Sequence, residues 1–359
     1  MNSEQLIIYI TQVIEEIFQT VLSSKDLLED KNKMALIEAI LKALDQLGVV
    51  IEEVIPKEIL TTYYSAVDEA SALLEEAGVP PTGGLALTAV GQVAKGFQTK
   101  IHLEAVQTLV EDTLLDLQAA IRTAKASARA NIEQALSDVK ADIAKGLIVG
   151  DPSKVVSKRV AQSFLKNGLT SFVTSDGKSL PLDYYSRLVT RTKMREAGTQ
   201  SHSNRYLENG QGLVKINERA DTCHVCAKYR DMIVSLTGEH EGFPSNIPLP
   251  PYHPHCRGDI SVWVIDFKSD EEIEEEKKKW RDWKEDVDSR SPAQKREFEK
   301  SQEIRRKANE EKKMFMRYQS VLGAEMPTTL GGFRRMKRSN SPRFQELQSM
   351  YRSAVHSKD

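Results

Sequence analysis

All three cysteines of this 359-residue chain, Cys223, Cys226 and Cys256, fall in one window, "CHVCAKYRDMIVSLTGEHEGFPSNIPLPPYHPHCRG". C-x-x-C on a tight turn can aim two thiolates at one ion. The second half offers two more donors in "YHPHC". His253 and Cys256 are three residues apart, so a turn brings both to one side. His255 is the immediate neighbour of Cys256, and adjacent residues of an extended segment point opposite ways. The expected set is therefore Cys223, Cys226, His253 and Cys256, with His255 in reserve as the fourth ligand. Thiolates disfavour magnesium and calcium, and an iron–sulfur cluster asks for four cysteines, which leaves zinc. Four protein ligands leave no position open for water, so the ion is expected to be structural. Pro248, Pro250, Pro251 and Pro254 bias the second half to an extended form and reduce the entropy lost on fixing its ligands. The competing readings are three merely buried thiols or a redox pair. A redox C-x-x-C belongs at a strand-to-helix junction of a βαβ unit, a context that "INERADTCHVCAKYRD" only partly provides.

An odd number of cysteines in so long a chain argues against a secreted disulfide framework. The N-terminus, "MNSEQLIIYITQVIEEIFQTVL", shows no basic leader or small-residue cleavage site, and acids interrupt its apolar run, so neither a signal peptide nor a membrane span is expected. Net charge is −2, so any contact with nucleic acid must come from a local patch. Aromatics are 6% and charged residues 28%, a mixture that suits extended helices with modest cores.

The periodicity is mainly helical. Leu6, Tyr9, Ile10, Val13, Ile14, Ile17, Phe18 and Val21 recur at three- and four-residue steps. "KNKMALIEAILKALDQLGVVIEEVI" and "PKEILTTYYSAVDEASALLEEAG" read as two further helices, and an alanine-rich one runs from Ile101 to about Lys145. "DPSKVVSKRVAQSFLKNG" reads as a helix with Asp151 as N-cap, Pro152 at the first position and Gly168 at the end. "TSFVTSDGKSLPLD" then changes period and predicts a β-hairpin turning at Asp176–Gly177. A helix follows to Gly210, "GLVKIN" is a strand leading to Cys223, and "DISVWVIDF" is a closing strand. The charge-laced stretch after Lys268 predicts exposed helix, re-capped at Ser291–Pro292. The C-terminus is basic, with Arg334, Arg335, Lys337, Arg338, Arg343 and Arg352, and could touch phosphates.

The expected fold class is mainly α with a small central α+β domain, its long helices framing a zinc-stapled hairpin and knuckle. The expected regions are 1–147, helical; 148–267, α+β with the knuckle; and 268–359, a charged helical extension with a basic tail. No phosphate-binding glycine loop, H-E-x-x-H or G-x-S-x-G is present, and the upstream histidine dyad of an HNH nuclease is not evident.

The order of features resembles the minor capsid (head morphogenesis) proteins of tailed bacteriophages. It resembles in particular the minor capsid protein 2 family, and is similar also to the Mu-type head proteins. The resemblance runs over roughly residues 100 to 355. It is most specific at C-x-x-C followed by P-P-x-H-P-x-C-R, where His253, Cys256 and Arg257 fall on the pattern. Gly258 departs from it, since relatives often carry a further cysteine there. The resemblance implies a non-enzymatic virion protein in few copies, made in the bacterial host cytoplasm, at the portal vertex and head interior. Implied partners are the portal protein, the major capsid or scaffolding protein, and phage DNA through the basic tail, with no membrane. Implied roles are head assembly and DNA packaging and ejection. Two alternatives remain: an ADP-ribosyltransferase-like effector, with Arg187 or Arg191 as its first residue to test, and a zinc-dependent DNA-binding module.

Overall fold

The computed structural model describes residues 1–89, 91–145, 152–167, 169–175, 177–281, 283 and 288–356. The chain is mainly helical, with a small antiparallel hairpin and a three-stranded antiparallel sheet. It divides into two compact units, one of Met1–Glu4, Ile51–Leu117 and Arg187–Ser301, the other of Gln5–Val50, Gln118–Ser186 and Gln302–Asp359.

α1 spans Ser3–Ser23 and α2 spans Asp30–Glu76. By length and composition α1 would also cross a bilayer. Its stripe of Leu6, Ile10, Val13, Ile17 and Val21 is buried in the protein, which accounts for the apolar spacing without one. The two helices read between residues 31 and 78 are one, because α2 continues through Pro56. Proline removes one hydrogen bond and crowds the preceding turn. Burial of Ile51, Ile55, Ile59 and Tyr63 at 0% exposure on both sides of it outweighs that loss.

α3 spans Lys100–Ala144, and the stretch inside the second unit buries Ala120, Ala124, Ala128, Ile132 and Val139. α4 runs Pro152–Asn167; the cap and stop read at Asp151 and Gly168 lie outside the described residues. β1 (Thr170–Val173) and β2 (Ser179–Pro181) pair as the expected hairpin, with Gly177 at φ +79° and Asp176 outside the described residues. Phe172 of this hairpin stacks on Tyr185, 5.0 Å between centroids.

α5 (Leu182–Glu208) ends where read, at Gly210. That residue has φ +72°, and the Gly210 and Gln211 amides donate to the Leu207 and Tyr206 carbonyls, a glycine-dependent C-terminal cap that turns the chain into the sheet. β3 (Leu213–Asn217) is the centre of that sheet, flanked by β4 (Ile233–Ser235) and β5 (Asp259–Val262). One face carries Val214, Ile216, Val234 and Ile260 onto Ala70, Leu74 and Tyr206; the other carries Leu213 and Ile233 onto Phe243. The closing strand is shorter than read: pairing stops at Val262 and Ile265–Phe267 is a 3₁₀ turn.

The short helix α6 (His224–Ala227) lies in the C-x-x-C segment. α7 (Asp270–Arg281) and α8 (Pro292–Leu322) form the charged region. Ser291 accepts from the Gln294 amide at 3.3 Å while the Gln294 side chain accepts from the Ser291 amide at 2.8 Å, a reciprocal N-terminal cap. Ser291→Ala is expected to cost about 1 kcal/mol in urea unfolding.

The basic C-terminus is two packed helices, α9 (Leu330–Arg338) and α10 (Pro342–His356). Phe333, Phe344 and Leu347 join Phe315 and Tyr318 in a local core. Much of the positive charge is answered internally. Glu311 pairs with Arg334, Lys337 and Arg338, and Arg343 bridges Glu325 and Glu346.

Candidate metal centre

β3 ends at Asn217, and the loop beyond it carries Glu218, Asp221 and Cys223. Cys223 precedes α6 in extended conformation, and its carbonyl accepts from the Ala227 amide at 3.0 Å, which fixes the C-x-x-C turn. The second loop makes the turn its spacing requires, since the Cys256 amide donates to the His253 carbonyl at 2.8 Å.

The turns bring the expected donors together. His253 Nε2 lies 3.1 Å from Cys223 Sγ and 3.1 Å from Cys226 Sγ, and Cys226 Sγ lies 3.7 Å from Cys256 Sγ. Cys226 and Cys256 are buried and Cys223 and His253 partly so. His255 is exposed, and its amide donates to His253 Nδ1 at 3.2 Å. His253 is thus the histidine placed within 3.1 Å of the sulfurs.

The sequence reading missed Glu218. Its Oε1 is 3.5 Å from Cys256 Sγ, and Glu218, Cys226 and Cys256 lie mutually within 4.8 Å, as do Cys223, Cys226 and His253. Cys226 belongs to both groups. One acid among many carries no spacing signal, so nothing in the sequence marks it.

Burial, and then the charge of Cys256, push the Glu218 carboxyl up to about 7. The Cys226 thiol is pushed far up by its bonds to Cys223 and Cys256, which are held well below the ordinary thiol range chiefly by their bonds to Cys226. A divalent ion would displace the shared proton and let all three thiols ionise.

The donors are of the kind zinc takes, and they form two groups that share Cys226 rather than one closed set of four. Zinc–sulfur and zinc–nitrogen bonds of tetrahedral sites imply donor separations of about 3.8 Å between sulfurs and about 3.6 Å between sulfur and nitrogen. The sulfur pair matches, and the histidine has about half an ångström to yield. These groups could hold a metal ion. As a ligand through Nε2, His253 would carry its proton on Nδ1 and lose the contact it accepts from the His255 amide.

Surrounding contacts hold the loops. Arg257 donates to Asp221 at 2.6 Å across the two loops, and Tyr229 stacks on Tyr252 at 4.6 Å. From α5, Arg195 donates to the Cys256 carbonyl and Thr192 to that of Pro254. Three residues of the charged region also bond to the C-x-x-C segment and the residues beside it. Trp283 Nε1 donates to the Lys228 carbonyl at 2.9 Å, Ser289 Oγ to Ala227 at 2.9 Å and Arg290 to Thr222 at 3.4 Å.

Arg191, considered for a transferase, forms a two-oxygen ion pair with Glu4, both contacts 3.0 Å, at a half-exposed position. No curated protein and no solved structure matches the chain significantly. The family-level sequence model of phage minor capsid protein 2 matches residues 28–319, which takes in the metal-centre loops and begins well upstream of residue 100. With most of its length matched, the chain belongs to the phage minor capsid protein 2 family and is a phage virion component.

Proposed function

We propose that this protein is a non-enzymatic structural component of the phage head. It acts at the portal vertex and head interior, assisting head assembly and DNA packaging and ejection. The family match over residues 28–319 carries this reading. Its partners are the portal protein and the major capsid or scaffolding protein. In this reading Cys223, Cys226, His253 and Cys256 hold one structural zinc, whose chemistry is to bind two loops together. Four protein ligands would fill a tetrahedral site, which is the arrangement of a structural rather than a catalytic zinc.

The internal pairing of the C-terminal bases favours protein contacts over DNA as the main work of α9 and α10. Among the described residues, Arg335 and Arg352 carry no ion pair and are the positions left for phosphate. The test is purification of heads with the protein tagged and imaged directly. It is expected to co-purify with the portal ring and to label a single vertex. Recovery only as free protein, or even distribution over the shell, would overturn the assignment.

A further inference from the structure

We propose that Glu218 is a second candidate for the fourth ligand position, an oxygen donor that competes with His253 for an ion held by Cys223, Cys226 and Cys256. This rests on the zinc reading above.

With Cys226 itself the two groups hold five donors, one more than a closed tetrahedral site takes. His253 approaches the Cys223–Cys226 pair, and Glu218 approaches the Cys226–Cys256 pair. The carboxylate is built into place. Thr222 Oγ1 donates to Glu218 Oε2 at 3.0 Å, which leaves Oε1 to the sulfurs.

Its seat exists because residue 258 has no side chain. A Cβ on Gly258 would stand 2.1 Å from Glu218 Oε1, 2.7 Å from its Cδ and 3.2 Å from the Asn217 carbonyl. The nearby bases are engaged elsewhere, Arg257 with Asp221 and Arg290 with Asp288. A half-buried carboxylate against thiols, without a basic partner among the described residues, is placed where a bound cation would compensate it. Zinc accepts carboxylate oxygen at distances close to those for histidine nitrogen. The two donors also differ in cost. Ligation through Nε2 takes from His253 the contact with the His255 amide, whereas Glu218 keeps its bond from Thr222 while offering Oε1.

The test is metal titration of the full chain with cobalt(II), read by its visible and thiolate charge-transfer absorption, and with zinc, read by stoichiometry. Wild type is expected to take about one ion per chain. His253→Ala is expected to keep one ion with affinity lowered about 10–100-fold, the range seen when groups that support a metal site are lost. His253→Ala/Glu218→Gln is expected to lose tight binding. So is His253→Ala/Gly258→Ala, which displaces the carboxylate without touching it; circular dichroism confirms that each variant folds. If His253→Ala alone abolishes binding, or both double variants bind as His253→Ala does, Glu218 is no ligand and the zinc reading stands. If wild type takes no metal, both readings fall.

Discussion

Cys226→Ser is expected to abolish metal binding and to free the two knuckle loops. Cys226 is the member common to both donor groups and is 0% exposed, so no other residue can take its place. A serine oxygen is neither soft nor ionised at neutral pH. The wild-type chain should gain about 4 kcal/mol of unfolding free energy when free zinc stands about 1,000-fold above its dissociation constant. The variant should gain nothing. The loss is expected to be local. The sheet is held by pairing of β3 with β4 and β5 and by burial against Ala70, Leu74 and Tyr206, none of which needs the ion. Far-ultraviolet circular dichroism should therefore be retained while amide exchange quickens over residues 218–230 and 250–258. A variant that still binds one zinc, or a wild type whose stability ignores zinc, would refute this.

Arg205→Met should be nearly as damaging, for reasons unconnected with metal. Arg205 is 2% exposed. Its guanidinium donates to Ser71 Oγ at 2.8 Å, to Glu208 at 3.3 Å and to the Thr82 carbonyl, and lies 4.9 Å from the centre of the Phe97 ring. Glu208 also takes His102 Nε2 at 3.0 Å, while Tyr63 donates to His102 Nδ1 at 2.8 Å and accepts from Asn204 at 2.7 Å. Methionine keeps much of the volume but leaves the Glu208 charge uncompensated in a mostly buried network. The expected cost is about 3–5 kcal/mol, measured as a shift of the urea midpoint. Adding Glu208→Gln should restore a large part of it, because the orphaned charge disappears with its partner. A loss below about 1 kcal/mol would show that the network contributes little.

Where the chain is long and periodic, its structure was legible. α3 and α5 follow directly from apolar spacing, and the hairpin from one aspartate–glycine pair. The metal-centre loops were legible because turn geometry leaves few ways to use C-x-x-C and H-x-x-C together. The failures have local causes. Pro56 reads as a break because propensity is local, whereas the burial that overrides it comes from tertiary packing. Val264 and the turn after it end a run of alternation that the sequence extends to Phe267. Glu218, Trp283, Ser289 and Arg290 come from stretches rich in similar residues, and only the fold selects among them. The C-terminal helices could have been read as packed, since Phe333, Phe344, Leu347 and Tyr351 interrupt the bases at helical steps.

Trp283 gives the knuckle an optical reporter of its own. Its indole is fixed to the Lys228 carbonyl and lies 5.7 Å from the Tyr229 ring, which in turn stacks on Tyr252 of the opposite loop. With Trp263 and Trp280 replaced by Phe, emission from Trp283 alone is expected to sense whether the loops are joined, and no dye need be attached through the very thiols under study.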